Sequence, residues 1–178
     1  KLVENAQRDV NIAFMNEHSL AFHHMHIDTA EVIAAMDTKW NALHFHPGLV
    51  GGHCIGVDPY YFIYKTENLG GHAPLIRAAR QINEGMSVFV TGNLVRELIL
   101  QRIDVARARI VLFGMTFKED CPDIRNSRAV DIYHQLASYG LSVTAVDPHA
   151  DAAAFAREYG FALTPLSELR EADALVFR

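Results

Sequence analysis

Apolar residues recur along the first hundred positions of this chain at helical spacing. Leu2, Val3, Ala6, Val10, Ala13 and Phe14 follow one another at steps of one, three and four, which predicts one helix over residues 1 to about 26. Asp28 opens a second helix, with Glu31 placed as its capping-box partner. The stretch from Lys39 to Gly52, with Pro47, Gly48 and the paired glycines Gly51-Gly52, reads as a loop. Asp58-Pro59 then starts a third helix, with Asp58 as the cap and Pro59 at the first helical position. After the break at Gly70-Gly71-His72, Pro74 begins a long helix whose Leu75, Ala79, Ile82, Met86, Val90 and Leu94 carry the pattern to about Arg102. That length, about 42 Å at about 1.5 Å per residue, exceeds the usual globular helix and suits a connector or a dimer surface. Gly85 and Gly92 lie on it; they either merely weaken the helix or admit a close partner helix.

The pattern changes at Arg109. Short apolar runs at 110–113, 143–146, 161–163 and 174–177 alternate with helices ending at Gly140 and Gly160 and with a short helix near Ser167. Near-continuous apolar strands separated by helices predict a parallel sheet. The expected fold is therefore α/β overall. A helical domain over 1–106, including the long connecting helix at about 74–102, precedes an incomplete Rossmann-like α/β domain over 107–178.

Composition narrows the function classes. The chain has 178 residues and a net charge of −5, so nothing points to nucleic acid or an anionic membrane. No apolar run is long enough to span a bilayer, and Cys54 and Cys121 form no disulfide framework, which fits a reducing cytoplasm. Lys1 opens inside a helical pattern and Arg178 closes directly after a strand, so the chain is expected to be a piece of a longer protein. It contains no Gly-x-Gly-x-x-Gly dinucleotide fingerprint. The histidines at 23, 24 and 26 and at 44 and 46 lack metal-ligand spacing, and no metal is expected.

The densest chemistry lies in Gly51-Gly52-His53-Cys54-Ile55-Gly56-Val57-Asp58-Pro59. Paired glycines allow a tight turn and close backbone approach. Cys54 falls just ahead of a helix N-terminus, where unpaired N–H groups and the dipole favour a thiolate. His53 beside it can bias its ionisation. The alternative is an inert small core cysteine.

This segment resembles the active-site motif of the UDP-glucose/GDP-mannose dehydrogenase family, in the branch that oxidises UDP-N-acetylhexosamines, where a histidine precedes the cysteine. Lys1-Leu2-Val3-Glu4-Asn5 and Phe117-Lys118-Glu119-Asp120, followed by Asp123-Ile124-Arg125-Asn126-Ser127, agree in the same order. The resemblance covers essentially the whole chain. It implies a central helical dimerisation domain and a UDP-sugar-binding α/β domain, preceded in family members by an NAD-binding domain that this chain lacks. It also implies NAD-dependent oxidation of a sugar C6 alcohol to a carboxylate, supplying surface-polysaccharide precursors, with a homodimer as the assembly.

By the same resemblance, Cys54 is the nucleophile, Asp58 assists the hydrolytic water, and Lys1 and Asn5 hold or deprotonate the reacting oxygen. Pro47, Gly48, Leu49, Val50, Gly51 and Gly52 wrap the sugar diphosphate, and Phe117 and Lys118 contact the UDP-sugar. Ile55, Gly56, Val57 and Arg125 lie toward the cofactor, and Lys39 stands near the position of an arginine that reaches the partner subunit's substrate. Bland readings stand beside these: Lys1 as a solvated charge, Asp58 as a helix cap, and the 117–127 segment as a charged surface loop. UDP-glucose 6-dehydrogenase is the competing enzyme, and a dimerisation module without activity is the competing non-enzyme.

Overall fold

A computed structural model describes all 178 residues. The fold is α/β, and the chain divides into two compact units, Lys1–Met86 and Ser87–Arg178, with the division inside one helix.

The first unit is helical. It holds α1 (Leu2–Met25), α2 (Thr29–Asp37), α3 (Asp58–Asn68) and the first half of α4 (Pro74–Leu100). α1 buries Ala6, Asp9, Ala13, Met15 and Asn16, and the small residues in that stripe let neighbouring backbone come close. It ends with His26 in the left-handed conformation, φ 58°, where the Ile27 N–H reaches back to Phe22 O at 2.9 Å. Asp28 caps α2 as the sequence predicts, its carboxylate accepting the Ala30 N–H at 2.7 Å.

The long helix is present, 27 residues or about 40 Å. Gly85 and Gly92 are exposed, and a Cβ at either would meet nothing within 4 Å, so no neighbour within this chain needs their small size.

The second unit carries a three-stranded parallel sheet ordered β2-β1-β3, from β1 (Arg109–Phe113), β2 (Ser142–Val146) and β3 (Ala174–Phe177). α5 (Arg128–Ser138) joins β1 to β2, and α6 (Ala152–Tyr159) follows β2. Ile110, Leu112, Met115, Ala129, Ile132, Leu136, Val146 and Phe155 form a core in which each is 2% exposed or less. Burying such side chains supplies the main driving force, about 1.5–3 kcal/mol for each large one.

The segment at 161–163 is not the strand its apolar run predicts. It joins the edge of β2 through one backbone bond, Thr164 N–H to Ala145 O at 2.8 Å, and the chain then winds into a short turn at Leu166–Glu168. Phe161 goes instead to an aromatic cluster, stacked on Tyr133 at 3.7 Å between ring centroids and edge-on to Phe155.

Candidate active site

The glycine pair builds the turn expected of it. Val50, Gly51 and Gly52 are buried, and Gly52 has φ 78°, a conformation open to glycine at little cost. From Gly52 to Val57 the chain turns, and the Cys54 carbonyl accepts the N–H groups of Val57 at 3.2 Å and Asp58 at 2.8 Å. The winding of α3 thus begins at the cysteine. His53 and Cys54 are exposed and the thiol is free. Ile55 and Val57 are half-buried and Gly56 is buried, so the turn after the cysteine packs inward.

Asp58 differs from its expected place by one residue. The cap position is Val57, no side chain caps the helix, and Asp58 and Pro59 are its first two residues. The Asp58 N–H is already taken by the Cys54 carbonyl, and the carboxylate turns to α1, accepting the Asn5 side-chain N–H at 2.6 Å. The capping role is therefore not used, and two residues 53 apart in sequence meet. Lys1 lies one turn before Asn5, its carbonyl accepting the Asn5 backbone N–H at 2.9 Å and its side chain exposed.

The loop ahead of the cysteine turn is held from inside. Gly48 exchanges two hydrogen bonds with the buried Asn16, while Pro47 and Leu49 are half-buried. Lys39 is exposed. With Phe14, Met15, Ile33, Met36 and Leu43 it lines a cavity of about 370 Å³ between α1, α2 and the following loop. His44 and His46 both approach Asp37 there, at 3.0 and 3.7 Å.

Four buried polar residues behind this loop escape the sequence reading. Asp9 and Asn16 on α1 face Arg80 and Asn83 on α4, all 1% exposed or less. Arg80 donates to Asp9 at 2.7 Å and to Glu84 at 3.2 Å, and its guanidinium lies 5.6 Å from the Tyr60 ring centroid. Asn83 donates to Asp9 Oδ1 at 2.7 Å. Burial pushes the Asp9 carboxyl up, more than Arg80 and Asn83 pull it down. The signal was present: Asp9 and Asn16 continue the Ala6/Ala13 face, where a polar residue on an apolar stripe marks an internal partner.

In the second unit, the loop after β1 carries the remaining candidates. Phe117 is half-buried and donates its N–H to Asp123 O at 3.0 Å. Lys118 is exposed, its ammonium 5.6 Å from the Phe117 ring centroid. Arg125 is exposed but its guanidinium is engaged by Asp123 at 2.8 and 2.6 Å. Cys121 is half-buried in the same loop.

This loop sits at the carboxyl end of a parallel strand, where open α/β sheets bind ligands. Asp147, at the end of β2, fixes its start. One carboxylate oxygen accepts the Met115 and Thr116 N–H groups at 2.7 and 2.9 Å, and the other accepts those of His149 and Ala150 at 2.8 and 3.2 Å. Burial alone would raise this carboxyl, but the backbone donors together hold it below its ordinary value. A depressed folded value means the stabilisation is present above the unfolded value, near 3.8, and fades as pH falls below it. Asp147→Ala is expected to cost about 2–4 kcal/mol at neutral pH in urea titrations, through lost charge-assisted bonds. The gap to wild type should narrow below about pH 4. A gap of the same size at pH 3 and pH 7 would contradict this.

The family model for the UDP-glucose/GDP-mannose dehydrogenase central domain matches residues 1–85, and that family's UDP binding domain matches residues 111–178. The chain is 49% identical, over 93% of its length, to a UDP-N-acetyl-D-glucosamine 6-dehydrogenase of Pseudomonas aeruginosa, covering 39% of that protein. It is 44% identical, over 99% of its length, to the enzyme of the same name from Salmonella typhi, covering 41% of it. Among solved structures, a UDP-D-ManNAc dehydrogenase from Pyrococcus horikoshii superposes with a TM-score of 0.84 at 33% identity, covering 99% of this chain and 40% of that one. The chain thus spans about 40% of the length of the relatives it matches.

Proposed function

Since this chain belongs to the UDP-glucose/GDP-mannose dehydrogenase family, we propose that it is the central and UDP-binding part of an NAD-dependent UDP-N-acetylhexosamine 6-dehydrogenase. The observation that carries this reading is the exposed Cys54 in a turn winding into α3, followed one turn later by a carboxylate held by Asn5. Relatives named for UDP-N-acetyl sugars support the substrate class.

In this reading Cys54 adds to the C6 aldehyde. A C–S bond forms and the carbonyl oxygen takes a proton, giving a thiohemiacetal; loss of its hydroxyl proton and of the C6 hydride, which NAD+ would accept when bound, leaves a thioester. The resulting thioester is attacked by water, the C–S bond breaks, and the thiolate and a carboxylate are released. Asp58, fixed by Asn5, takes the proton of the attacking water, and Lys1 and Asn5 hold the reacting oxygen. Residues 47–52 wrap the diphosphate, and Phe117 and Lys118 contact the UDP-sugar.

Ile55, Gly56, Val57 and Arg125 lie toward NAD in this reading, and the Arg125 guanidinium is engaged by Asp123 in this structure.

No helix is long and apolar enough to cross a membrane, and a cytoplasmic enzyme of surface-polysaccharide precursor synthesis accords with this. A homodimer through the helical domain belongs to this reading, and the exposed Val88 and Ile99, on one face of α4, are apolar side chains that such an interface would cover. The deciding experiment is a substrate panel with the full-length protein, alongside light scattering. UDP-GlcNAc, UDP-GalNAc or UDP-ManNAc should be oxidised well ahead of UDP-glucose by a dimer. Preference for UDP-glucose would transfer the chain to the glucose branch, and a monomer at high micromolar concentration would remove the dimer.

A further inference from the structure

Gly48 lies in the middle of the candidate substrate loop, yet packing does not fix it. It is exposed, and a Cβ built there would meet nothing within 4 Å. Its position is gripped through the backbone. The Asn16 carboxamide donates from Nδ2 to Gly48 O at 3.0 Å, and Asn16 Oδ1 accepts the Gly48 N–H at 2.8 Å. A two-point contact of this kind fixes both peptide planes that flank Gly48, as a strand partner does.

The carboxamide is itself immobilised. Asn16 is 0% exposed, and its second Nδ2 hydrogen goes to Asn83 Oδ1 at 2.8 Å. Asn83 in turn donates to Asp9 O and Oδ1 at 3.0 and 2.7 Å, and Arg80 closes the chain of bonds on the same carboxylate. An asparagine uses both donor hydrogens and its acceptor here. Aspartate would lack both donors, and glutamine would carry the amide one methylene too far. The network joins α1 and α4, two rigid elements, and ends on one loop peptide.

We propose that Asn16 is a positioning residue, holding the 47–52 loop in the shape in which it binds the nucleotide sugar. This rests on the reading of that loop as the diphosphate wrap. Asn16 touches neither substrate nor reacting atoms; it acts through Gly48.

The test combines backbone hydrogen exchange with steady-state kinetics, both on the full-length protein. In Asn16→Ala, the Gly48 amide should exchange at least about tenfold faster, the equivalent of one buried hydrogen bond. KM for the UDP-sugar should rise about tenfold with kcat changed little, because Cys54 and Asp58 are untouched. Asn16→Ser stays neutral in this buried place and is too short to reach Gly48, while its hydroxyl can still serve Asn83. It should give the same faster exchange and higher KM, and it carries the test if the alanine variant does not fold. Asn83→Ala breaks the buried network one bond further back and leaves the Asn16–Gly48 pair in place. It should lower the melting temperature and raise KM by less than Asn16→Ala does.

Unchanged Gly48 exchange in Asn16→Ala would overturn the clamp. A loosened loop with unchanged KM would overturn the positioning role, as would an Asn83→Ala variant with the same KM defect. A wild-type protein inert toward every nucleotide sugar would sink the functional reading and the kinetic half of this proposal with it; exchange at Gly48 then decides the clamp by itself.

Discussion

Cys54→Ser in the full-length protein is expected to bind UDP-sugar and NAD+ normally and to lose at least about 10³-fold in turnover, or about 4 kcal/mol at about 1.4 kcal/mol per factor of ten. The substitution is small and the residue is exposed, so the fold has little reason to respond. The backbone of the turn, with the Cys54 carbonyl accepting from Val57 and Asp58, does not involve the side chain. What changes is the nucleophile. Serine, with a far higher pKa than a thiol, presents almost no alkoxide at neutral pH, and an oxygen ester is a poorer acyl intermediate than a thioester. The aldehyde then has no efficient route to the adduct that loses the second hydride. Partly oxidised or covalently trapped sugar should accumulate, visible as fewer than two NADH per sugar and as a mass increase on the protein. Two NADH per sugar at a near wild-type rate would refute the covalent mechanism and return Cys54 to a structural role.

The cysteine turn was legible because its signals are local. Paired glycines, a cysteine and Asp-Pro within nine residues declare a turn entering a helix, and the structure supplies that turn. Where the reading was off by one residue, at Asp58, the cause was also local: a carbonyl four residues earlier took the N–H that a capped helix would have left open. The strands at β1, β2 and β3 follow from apolar runs with room to pair. The run at 161–163 is apolar too, but Phe161 is drawn into an aromatic cluster and the chain turns at Leu166–Glu168 before a ladder can extend. Contacts across long sequence separation were the least visible. Asn5 with Asp58 and Asn16 with Gly48 depend on how α1 packs, which periodicity does not report. The roles of Lys118 and Arg125 came from resemblance alone, and the structure adds that Arg125 is already engaged by Asp123.

The buried pair at the centre of the helical unit carries the largest stability prediction. Arg80 and Asp9 have side chains 2% and 0% exposed, 2.7 Å apart. Asp9 Oδ2 and Arg80 Nε have no hydrogen-bond partner within the protein, so the pair is enclosed without being fully satisfied. Removing both charges from water is costly, and their attraction returns that cost only while both are present. Arg80→Met leaves a buried carboxylate with Asn83 alone to solvate it and is expected to cost about 3–5 kcal/mol. Asp9→Leu combined with Arg80→Met removes the stranded charge and should recover most of that loss, a coupling well above the limit for independent sites.

The sign with pH follows from Asp9, whose carboxyl burial already holds above its ordinary value in the intact pair. Without Arg80 it rises further. A raised folded value means stability is fully present below the unfolded value and is lost as pH rises through the folded one. The Arg80→Met deficit should therefore be larger at pH 8 than at pH 4.5 in urea titrations followed by circular dichroism. The opposite slope, or a deficit under about 1 kcal/mol at both pH values, would mean that water reaches Asp9 once the arginine is gone. The buried network would then be a packing convenience rather than the frame on which α1, α4 and the 47–52 loop are set.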